Sequence, residues 1–332
     1  MTRDTPPPPP CNPPAGLALP AMQWFHLELT HRLLDDLSLP APGGLGALYR
    51  SVFGLALHRR APTLCERYAG DQSDSLRPWW LWPPDLGDET DLPAGTVLRA
   101  RFSLHASSAP DVDACLQAFD DFGLLGLGTE RSRAVLDEVA WLTPSGPEPV
   151  GAAVPPPWCA QDVWQTAQAE LTERPNPQQS GVWLNSVTPL RLKFRSALIT
   201  QPPPLSEVLQ ACFTRLGAML RLAQPTSARH PTTWLSPEDK TAWLQWSRHW
   251  MPDLAWTQRA QVHRWSSRQQ RAIRIDGLTG AWAYPPEACP ALPWLRLGEH
   301  LQLGGKTTVG MGAFNVALRQ PHGDDNEEGG QA

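Results

Sequence analysis

The sequence lacks the short motifs that mark several common enzyme classes. Its 332 residues contain no H-E-x-x-H, no G-x-S-x-G and no G-x-G-x-x-G after the first predicted strand. Zinc proteases, α/β-hydrolases and dinucleotide-binding enzymes are therefore disfavoured. The six cysteines include no C-x-x-C pair, so we expect neither a zinc site nor a disulfide framework, as in a reducing cytoplasm. No acidic cluster indicates a pair of magnesium ions, and we predict no metal and no cofactor.

Long hydrophobic runs are also missing. No apolar stretch approaches the ~20 residues of a membrane span, and residues 1–10 combine one arginine with acid and prolines, unlike a signal peptide. We therefore expect a cytoplasmic protein without a membrane partner. Hydrophobic residues still make up 41% of the chain, and its length suits two domains of ordinary size.

Positive charge is scarce overall but concentrated locally. The net charge of −5 would be about −1 without four acids near the C-terminus, which are Asp324, Asp325, Glu327 and Glu328. The segment from Arg259 to Arg274 holds five arginines and His263 but no acid. Local basic surface matters more than the total charge when the partner is a phosphate backbone, so the sequence permits binding to nucleic acid.

The first half alternates strand-like and helix-like stretches. Alternating apolar residues predict strands at 22–31, 97–105 and 134–142. Helical spacing of apolar residues predicts helices at 45–60 and 111–122. Residues 66–95 show no clear pattern, and a glycine-rich stretch at 123–128 precedes the last strand.

The second half repeats this order after a proline-rich linker. A strand is predicted at 182–194, the clearest helix at 205–222, and another helix after Ser236-Pro237, where serine suits the cap and proline the first turn. Its three tryptophans at 243, 246 and 250 are predicted to be core residues, whereas a few of the 16 tryptophans could stack on bases. Because both halves run strand, helix, strands, glycine-rich loop and strand, we infer an internal duplication.

The glycine-rich stretch at 303–314 (LGGKTTVGMGAF) carries the strongest functional signal. Glycine is favoured where backbone turns tightly or approaches a ligand closely, and exposed amides beside one ammonium group form a site for phosphate. The stretch is not a P-loop, because that motif needs glycine at the position of His300 and a helix after the loop. A plain glycine-rich hairpin is the structural alternative.

Three successive segments resemble the C-terminal region of the RAMP-type CRISPR endoribonucleases, which cut repeat RNA into guide RNAs. They are RWSSRQQR at 264–271, a glycine-broken apolar hairpin at 273–284, and LRLGEHL at 295–301, followed by the glycine-rich stretch. The similarity is close over about fifty residues. It implies an α+β fold of two tandem ferredoxin-like (RRM-like) domains with a cleft between them and a C-terminal glycine-rich loop.

The predicted domain limits follow from the linker and the two tails. We expect a disordered proline-rich tail at 1–20, an N-terminal ferredoxin-like domain at 21–143 and a proline-rich linker at 144–158. A C-terminal ferredoxin-like domain with the glycine-rich loop would follow at 159–319, and an acidic disordered tail at 320–332.

The resemblance implies a metal-independent cleavage of CRISPR repeat RNA by the RNA's own 2′-hydroxyl, leaving a 2′,3′-cyclic phosphate and a 5′-hydroxyl. Such a reaction needs a base, an acid and positive charge at the phosphorane, and histidine exchanges protons near neutral pH. His58 is the first candidate, because the family commonly places its catalytic histidine at the end of the first helix. A histidine that caps the helix C-terminus is the structural alternative. His31 is the second candidate, and His300, in a strand-like pattern, could face the same groove.

The predicted RNA contacts lie in the loop, in the arginine-rich segment and beside His58. Lys306 would bind phosphate as a point charge rather than transfer a proton, and Ser266 and Gln269 could assist the arginines. A solvated surface is the alternative for the arginines. The predicted RNA-binding residues are Lys306, Gly304, Gly305, Gly310, Gly312, Arg264, Arg268, Arg271, His263, Arg59 and Arg60.

Two other functions stay open. A non-catalytic RAMP-type subunit that holds guide RNA in a CRISPR effector complex would show the same loop and arginines, with other effector subunits as partners. A protein-only scaffold would have no affinity for RNA. The chain also departs from the family, because Gly43-Gly44 replaces an Arg-Gly pair and Cys65 alone remains of a cysteine-rich stretch. Both departures lie in the half where catalysis is expected.

Overall fold

The computed structural model describes residues 8–10, 19–39, 41–70, 77–151, 153–173, 181–223, 235–266 and 271–319. For 20, 264–266, 271, 272 and 319 it describes the backbone alone. The acidic tail predicted at 320–332 and most of the proline-rich tail predicted at 1–20 lie outside these ranges.

The first half of the chain forms an antiparallel sheet with helices on one face. Its strands are β1 (Gln23–Leu33), β2 (Leu37–Ser38), β3 (Trp79–Trp82), β4 (Asp91–Leu92), β5 (Val97–His105), β6 (Ala134–Thr143), β7 (Gly146–Pro149) and β8 (Trp158–Cys159). Its helices are α1 (Leu45–Arg60), α2 (Pro62–Ala69), α3 (Val112–Asp120) and α4 (Phe122–Leu125). The main sheet has the order β3-β5-β1-β6-β7, with β8 paired to β1, and β2 pairs with β4 separately.

The second half builds a four-stranded antiparallel sheet. Its strands are β9 (Gly181–Leu190), β10 (Lys193–Phe194), β11 (Ala197–Leu198), β12 (Leu254–Ser266), β13 (Arg271–Tyr284) and β14 (Phe314–Arg319). Its helices are α5 (Ala160–Thr172), α6 (Leu205–Ala223), α7 (Pro237–Ser247) and α8 (Leu292–Leu301). The sheet has the order β12-β13-β9-β14, and β10 and β11 form a separate pair.

The two halves share one topology. If the four main strands of each half are numbered along the chain, both sheets have the order second, third, first, fourth. A helix joins the first strand to the second and another joins the third to the fourth, which is the ferredoxin-like arrangement. The prediction of two tandem ferredoxin-like domains is therefore confirmed, and the inferred duplication agrees with this repeated order.

Each half has its own hydrophobic core. The first surrounds α1, α3 and β5, and the second surrounds α6, α8 and β9. Trp24 of β1 and Trp80 of β3 belong to the second core, so the sheet of the first half packs directly on the second half. Trp243, Trp246 and Trp250 are buried as predicted, with at most 9% of their surface exposed.

The helix predictions were accurate where the sequence carries explicit signals. α1 has the predicted limits and ends in three basic residues, which suit the negative end of the helix dipole. α7 begins after Ser236, whose hydroxyl accepts a hydrogen bond from the backbone N–H of Asp239 at 2.9 Å. α6 buries the stripe of apolar residues from Leu205 to Leu220.

Other elements differ from the prediction. The segment 273–284 is not a hairpin by itself but most of strand β13, whose partner is β12. Gly280 breaks its apolar pattern because a Cβ there would stand 2.0 Å from the carbonyl oxygen of Trp256. β3 lies in the stretch that showed no pattern, and β7, within the predicted linker, pairs with β6. No helix of the described ranges is long and apolar enough to cross a membrane.

Candidate nucleic-acid interface

The glycine-rich stretch 303–314 lies at the seam between the two domains. Its short turn Thr307–Val309 contacts both α1 and β3 of the first half. Arg50 of α1 donates a hydrogen bond from Nε to Oγ1 of Thr308 at 3.2 Å. The loop therefore joins the first helix of one domain to the last strand of the other.

At three of the loop glycines, neighbouring backbone or side-chain atoms leave no room for a Cβ. A Cβ on Gly304 would stand 2.3 Å from the carbonyl oxygen of Arg191, and one on Gly312 would stand 2.1 Å from that of Leu303. A Cβ on Gly310 would stand 2.8 Å from the ring of Pro83 in the first half. These three glycines also have positive φ angles, which side-chain-bearing residues rarely adopt. Close packing of the chain on itself thus explains all three.

This packing corrects part of the predicted RNA contact. Gly310 and Gly312 are buried, so their amides do not face solvent where a phosphate would arrive. Gly304 and Gly305 are partly exposed and line a groove with Arg191, Lys193 and Thr214. Any contact between the loop and RNA therefore belongs to its first half.

Lys306 is the loop residue with the most unusual backbone. Its φ of 73° and ψ of 28° lie in the left-handed region, which costs a residue with a side chain ~1–2 kcal/mol. Its backbone oxygen accepts hydrogen bonds from the N–H groups of Val309 and Met311, and the residue is partly exposed. A lysine is thus held at a position where glycine would be easier, and such strain is frequent at functional sites.

The long hairpin of β12 and β13 rises beside the loop. Val262 and Ile275 form a small apolar cluster with Met311 of the loop, and the β12 strand contacts α1. On this hairpin the partly exposed His263 lies opposite Arg274. The predicted Arg264 and Arg271 are strand residues whose side chains lie outside the described part, and Arg268 lies outside it entirely, as does Gln269.

The predicted catalytic residue His58 lies at the other end of α1. His58 and Arg59 are exposed in the last turn, whereas the loop packs on the helix at Gly46 and is hydrogen-bonded to Arg50. At 1.5 Å per residue, His58 lies ~18 Å along the helix from Gly46 and ~12 Å from Arg50. His58 therefore lies about two turns of α1 away from the nearest residue that contacts the loop.

Arg60 has an internal partner. Its Nε donates to Oδ2 of Asp121 at 2.6 Å, and a second nitrogen donates to Oδ1. Asp121 is buried, with 6% of its surface exposed, so Arg60 neutralises a carboxylate of the fold. This contact accounts for Arg60 without RNA.

The second catalytic candidate, His31, is a core residue. It has no exposed surface and stacks on Phe122 with ring centroids 5.0 Å apart. Its Nδ1 lies 3.3 Å from the hydroxyl of Tyr49, and its Nε2 lies 3.3 Å from the carbonyl oxygen of Phe119. Burial lowers the pKa of His31 to about 4. A side chain without exposed surface cannot contact RNA, so the prediction of His31 as a catalytic residue is corrected.

A histidine pair that the sequence did not reveal joins the two domains. His300 lies in α8 and not in a strand, and its Nδ1 is 3.1 Å from Nε2 of His26. That Nε2 also accepts a hydrogen bond from the indole of Trp24 at 3.0 Å, so it carries no proton, and His300 is the second donor. The Nδ1–H of neutral His26 then donates to Ser103 at 2.7 Å. Burial lowers the pKa of His26 well below its usual range and that of His300 to about 3.

No metal-ligand cluster is found in the part of the chain that the structure describes, where no three His, Cys, Asp or Glu side chains could share an ion. The interface described here consists of the glycine-rich stretch with Lys306 (the lysine loop), helix α1 with Arg50, and the hairpin of β12 and β13. Such groups bind an anionic polymer through phosphate contacts.

A family match covers the loop and the hairpin of this interface, though not α1. Residues 184–314 match the family model of the CRISPR-associated endoribonuclease Cas6. They run from β9 to the first residue of β14 and include the hairpin, α8 and the loop. No curated protein matches the chain by sequence.

Solved structures share the fold over nine-tenths of the chain. Thermus thermophilus Cas6 (TTHB231) matches with a TM-score of 0.55 and 15% identity, over 89% of this chain and 99% of that one. A product complex of TTHB231 Cas6 gives 0.54 and 16% over the same shares. A partial Cas6-RT-Cas1–Cas2 complex gives 0.59 and 11%, over 91% of this chain and 47% of that one.

The chain has the fold of the solved Cas6 structures, with tandem ferredoxin-like domains. Its second half, from residue 184 to 314, also matches the family model of the Cas6 endoribonucleases. The predicted resemblance is therefore confirmed. The family model describes an endoribonuclease, which also confirms the predicted class of enzyme.

Proposed function

We propose that the protein cleaves CRISPR repeat RNA into guide RNAs by a metal-independent attack of the RNA's own 2′-hydroxyl. The observation that carries this proposal is that the residues matched by the family model include those at the domain seam. Residues 184–314 contain the lysine loop and the hairpin, and both pack against the first helix of the other domain.

The seam is proposed to hold the RNA backbone. Lys306 keeps its side chain at a left-handed position, and this strain is understandable if the ammonium group binds phosphate. Arg50 is positioned beside it through Thr308. His263 and the hairpin arginines would extend these contacts along the strand.

The cut is proposed to occur at the far end of α1. Ser51, Leu55 and His58 are exposed and recur at i, i+4 and i+7, so they form one stripe along the helix. This stripe leads from the turn of Arg50 to His58. At 1.5 Å per residue, the stripe spans ~12 Å along the helix from Arg50 to His58, and Gly46 lies ~18 Å from His58. Binding and cleavage would therefore use different nucleotides of the same repeat.

The chemistry at that end needs few groups. His58 removes the proton from the 2′-hydroxyl, whose oxygen then attacks the neighbouring phosphorus. The bond from phosphorus to the 5′-oxygen breaks, and that oxygen takes up a proton. Arg59, next to His58 and exposed, would stabilise the negative charge of the phosphorane. The products are a 2′,3′-cyclic phosphate and a 5′-hydroxyl.

A second function is favoured by one observation. Because His31 is buried in the core, His58 is the one predicted base that remains, and a guide-holding subunit that does not cut would have the same seam. In either case the proposed partners are CRISPR RNA and other CRISPR proteins. The relative in the Cas6-RT-Cas1–Cas2 complex, which shares the fold, supports the second kind of partner.

The test uses purified full-length protein and the repeat RNA of its own CRISPR array. His58→Ala should slow cleavage by ~10²–10⁴-fold and leave RNA affinity within about twofold, since the loop contacts remain. His249→Ala is the matched control, because His249 is an exposed histidine next to α7 in the other domain. If His58→Ala cuts as fast as the wild type, His58 is not the base. If the wild type binds tightly without cutting, the guide-holding function replaces cleavage.

A further inference from the structure

One face of the second domain's sheet, called the open face here, is not covered by a helix in the part of the chain that the structure describes. Val182, Leu184, Trp282 and Tyr284 are buried in the core with α6 and α8. Side chains alternate between the two faces of a strand, so the neighbours of these residues point away from the helices. The outward residues include Trp183, Asn185, Trp256, Gln258, Thr279, Ala281, Ala283, Asn315 and Ala317.

Two tryptophans form an aromatic platform on this open face. Trp183 of β9 and Trp256 of β12 have nearly parallel rings, with an angle of 14° and centroids 5.8 Å apart. They come from strands on either side of β13, where they flank Ala281 and Ala283. The methyl groups of these alanines leave room for the indoles to meet across the middle strand. Trp256 remains 62% exposed.

The rest of the open face is uncharged and carries three exposed amide side chains among small and apolar residues. Asn185, Gln258 and Asn315 are exposed and offer amide groups, which donate and accept hydrogen bonds to base edges. Among its described residues from 183 to 187, 254 to 262, 273 to 283 and 315 to 317, the outward positions carry no Asp or Glu. A phosphate backbone would therefore meet no repulsion from them.

The open face continues into the domain seam. Val187, two strand positions beyond Asn185, and Val262 line a cavity together with Gly43, Val309 and Gly310. At ~3.4 Å per residue, Trp183 lies ~14 Å along β9 from Val187. A strand of RNA held at the seam would reach the tryptophans within a few nucleotides.

We propose that the open face of the second sheet binds single-stranded RNA outside the seam by stacking bases on Trp256 and Trp183. This inference rests on the proposed function, because the seam must itself hold RNA. Stacked indoles, amides and the absence of acids suit a single strand, since every base has a face that can stack. The exposed Met251 and Leu254 at the end of the platform make a protein contact the competing outcome.

The experiment measures binding of fluorescein-labelled 12-nucleotide oligouridine, and of repeat RNA with and without an unpaired flank. Trp256→Ala should weaken oligouridine binding ~5–150-fold, and should remove the affinity that the flank adds. Trp256→Phe should retain most of it, because a ring remains. Met251→Ala, which removes an exposed side chain at the same end without removing a ring, should bind as the wild type does.

Each outcome decides a different question. If the wild type neither binds nor cuts repeat RNA, the proposed function itself fails. If it binds and cuts, but Trp256→Ala binds oligouridine and flanked repeat as tightly as the wild type, the platform is overturned. A change in self-association by light scattering, with RNA binding unchanged, would assign the face to protein contact and also overturn it.

Discussion

The contact between Gly46 and the loop gives the sharpest test of how the domains are joined. In the interior of an ordinary helix, Gly→Ala stabilises by ~1 kcal/mol. Here a Cβ on Gly46 would stand 2.2 Å from the carbonyl oxygen of Val309 and 3.0 Å from its carbon. An ordinary contact needs about 3.4 Å, so the loop would have to withdraw by more than 1 Å. Because the obstacle is backbone, we expect an overpacking cost at the upper end of ~1–3 kcal/mol.

The net effect of Gly46→Ala should therefore be a loss of ~1–2 kcal/mol, opposite in sign to the helix propensity. For a unit of 150–250 residues this corresponds to a lower Tm by about 2–4 °C per kcal/mol. Thermal unfolding followed by circular dichroism measures it. The matched control is Gly54→Ala in the same helix, whose Cβ would meet only the methyl group of Ala69 at 3.3 Å. If Gly46→Ala raises the Tm, the packing of the loop on α1 is wrong.

Two further perturbations test the domain seam and the RNA contact. First, His26 and His300 are neutral in the folded protein, because burial lowers the pKa of His300 to about 3 and that of His26 well below its usual range. Histidines of the unfolded chain bind protons near pH 6.5. The free energy of unfolding should therefore have its full value above that pH and decrease below it, by up to ~1.4 kcal/mol per pH unit for each histidine. Urea unfolding at pH 7 and pH 5 should show the loss, to which His31 and His105 contribute in the same direction because burial also lowers the pKa of each to about 4. An equal stability at both pH values would contradict the neutral pair. Second, Lys306→Gly should relieve the left-handed strain and raise the Tm, while lowering RNA affinity and reducing the slope of log K against log salt by ~0.7–0.9. Unchanged affinity and slope would remove Lys306 from the interface.

The topology of the fold could be predicted from the sequence more completely than the exposed residues of the site. The helix at 45–60 and the strand at 97–105 have the predicted limits, because the apolar spacing is regular in both and the helix ends in three basic residues. The stretch 273–284 was misread because glycines break its alternation. Gly277 is needed for the close approach of Pro189 and Met311, and Gly280 for that of β12. These are contacts between residues far apart in sequence.

The site could be predicted only in part, for two physical reasons. A missing Cβ looks the same in sequence whether a ligand or the chain itself fills the space, and at Gly310 and Gly312 the chain fills it. The sequence also did not show which residues of β1 are exposed to solvent. β1 is covered on both faces, by its own helices and by the second domain, so His26 and His31 are buried although their strand alternates like a half-exposed one. The outward Trp183 and Trp256 gave no separate signal among so many tryptophans.

The most direct measurement of the central claim is the end-group analysis of repeat RNA incubated with the purified protein in EDTA. Repeat RNA labelled at either end shows the position of the cut, and treatment with a phosphatase before and after acid opening of a cyclic phosphate shows the chemistry. The account predicts one cut in the repeat, with a 2′,3′-cyclic phosphate on one product and a 5′-hydroxyl on the other, at the same rate with and without EDTA. Cleavage that stops in EDTA, or products with a 3′-hydroxyl and a 5′-phosphate, would contradict it.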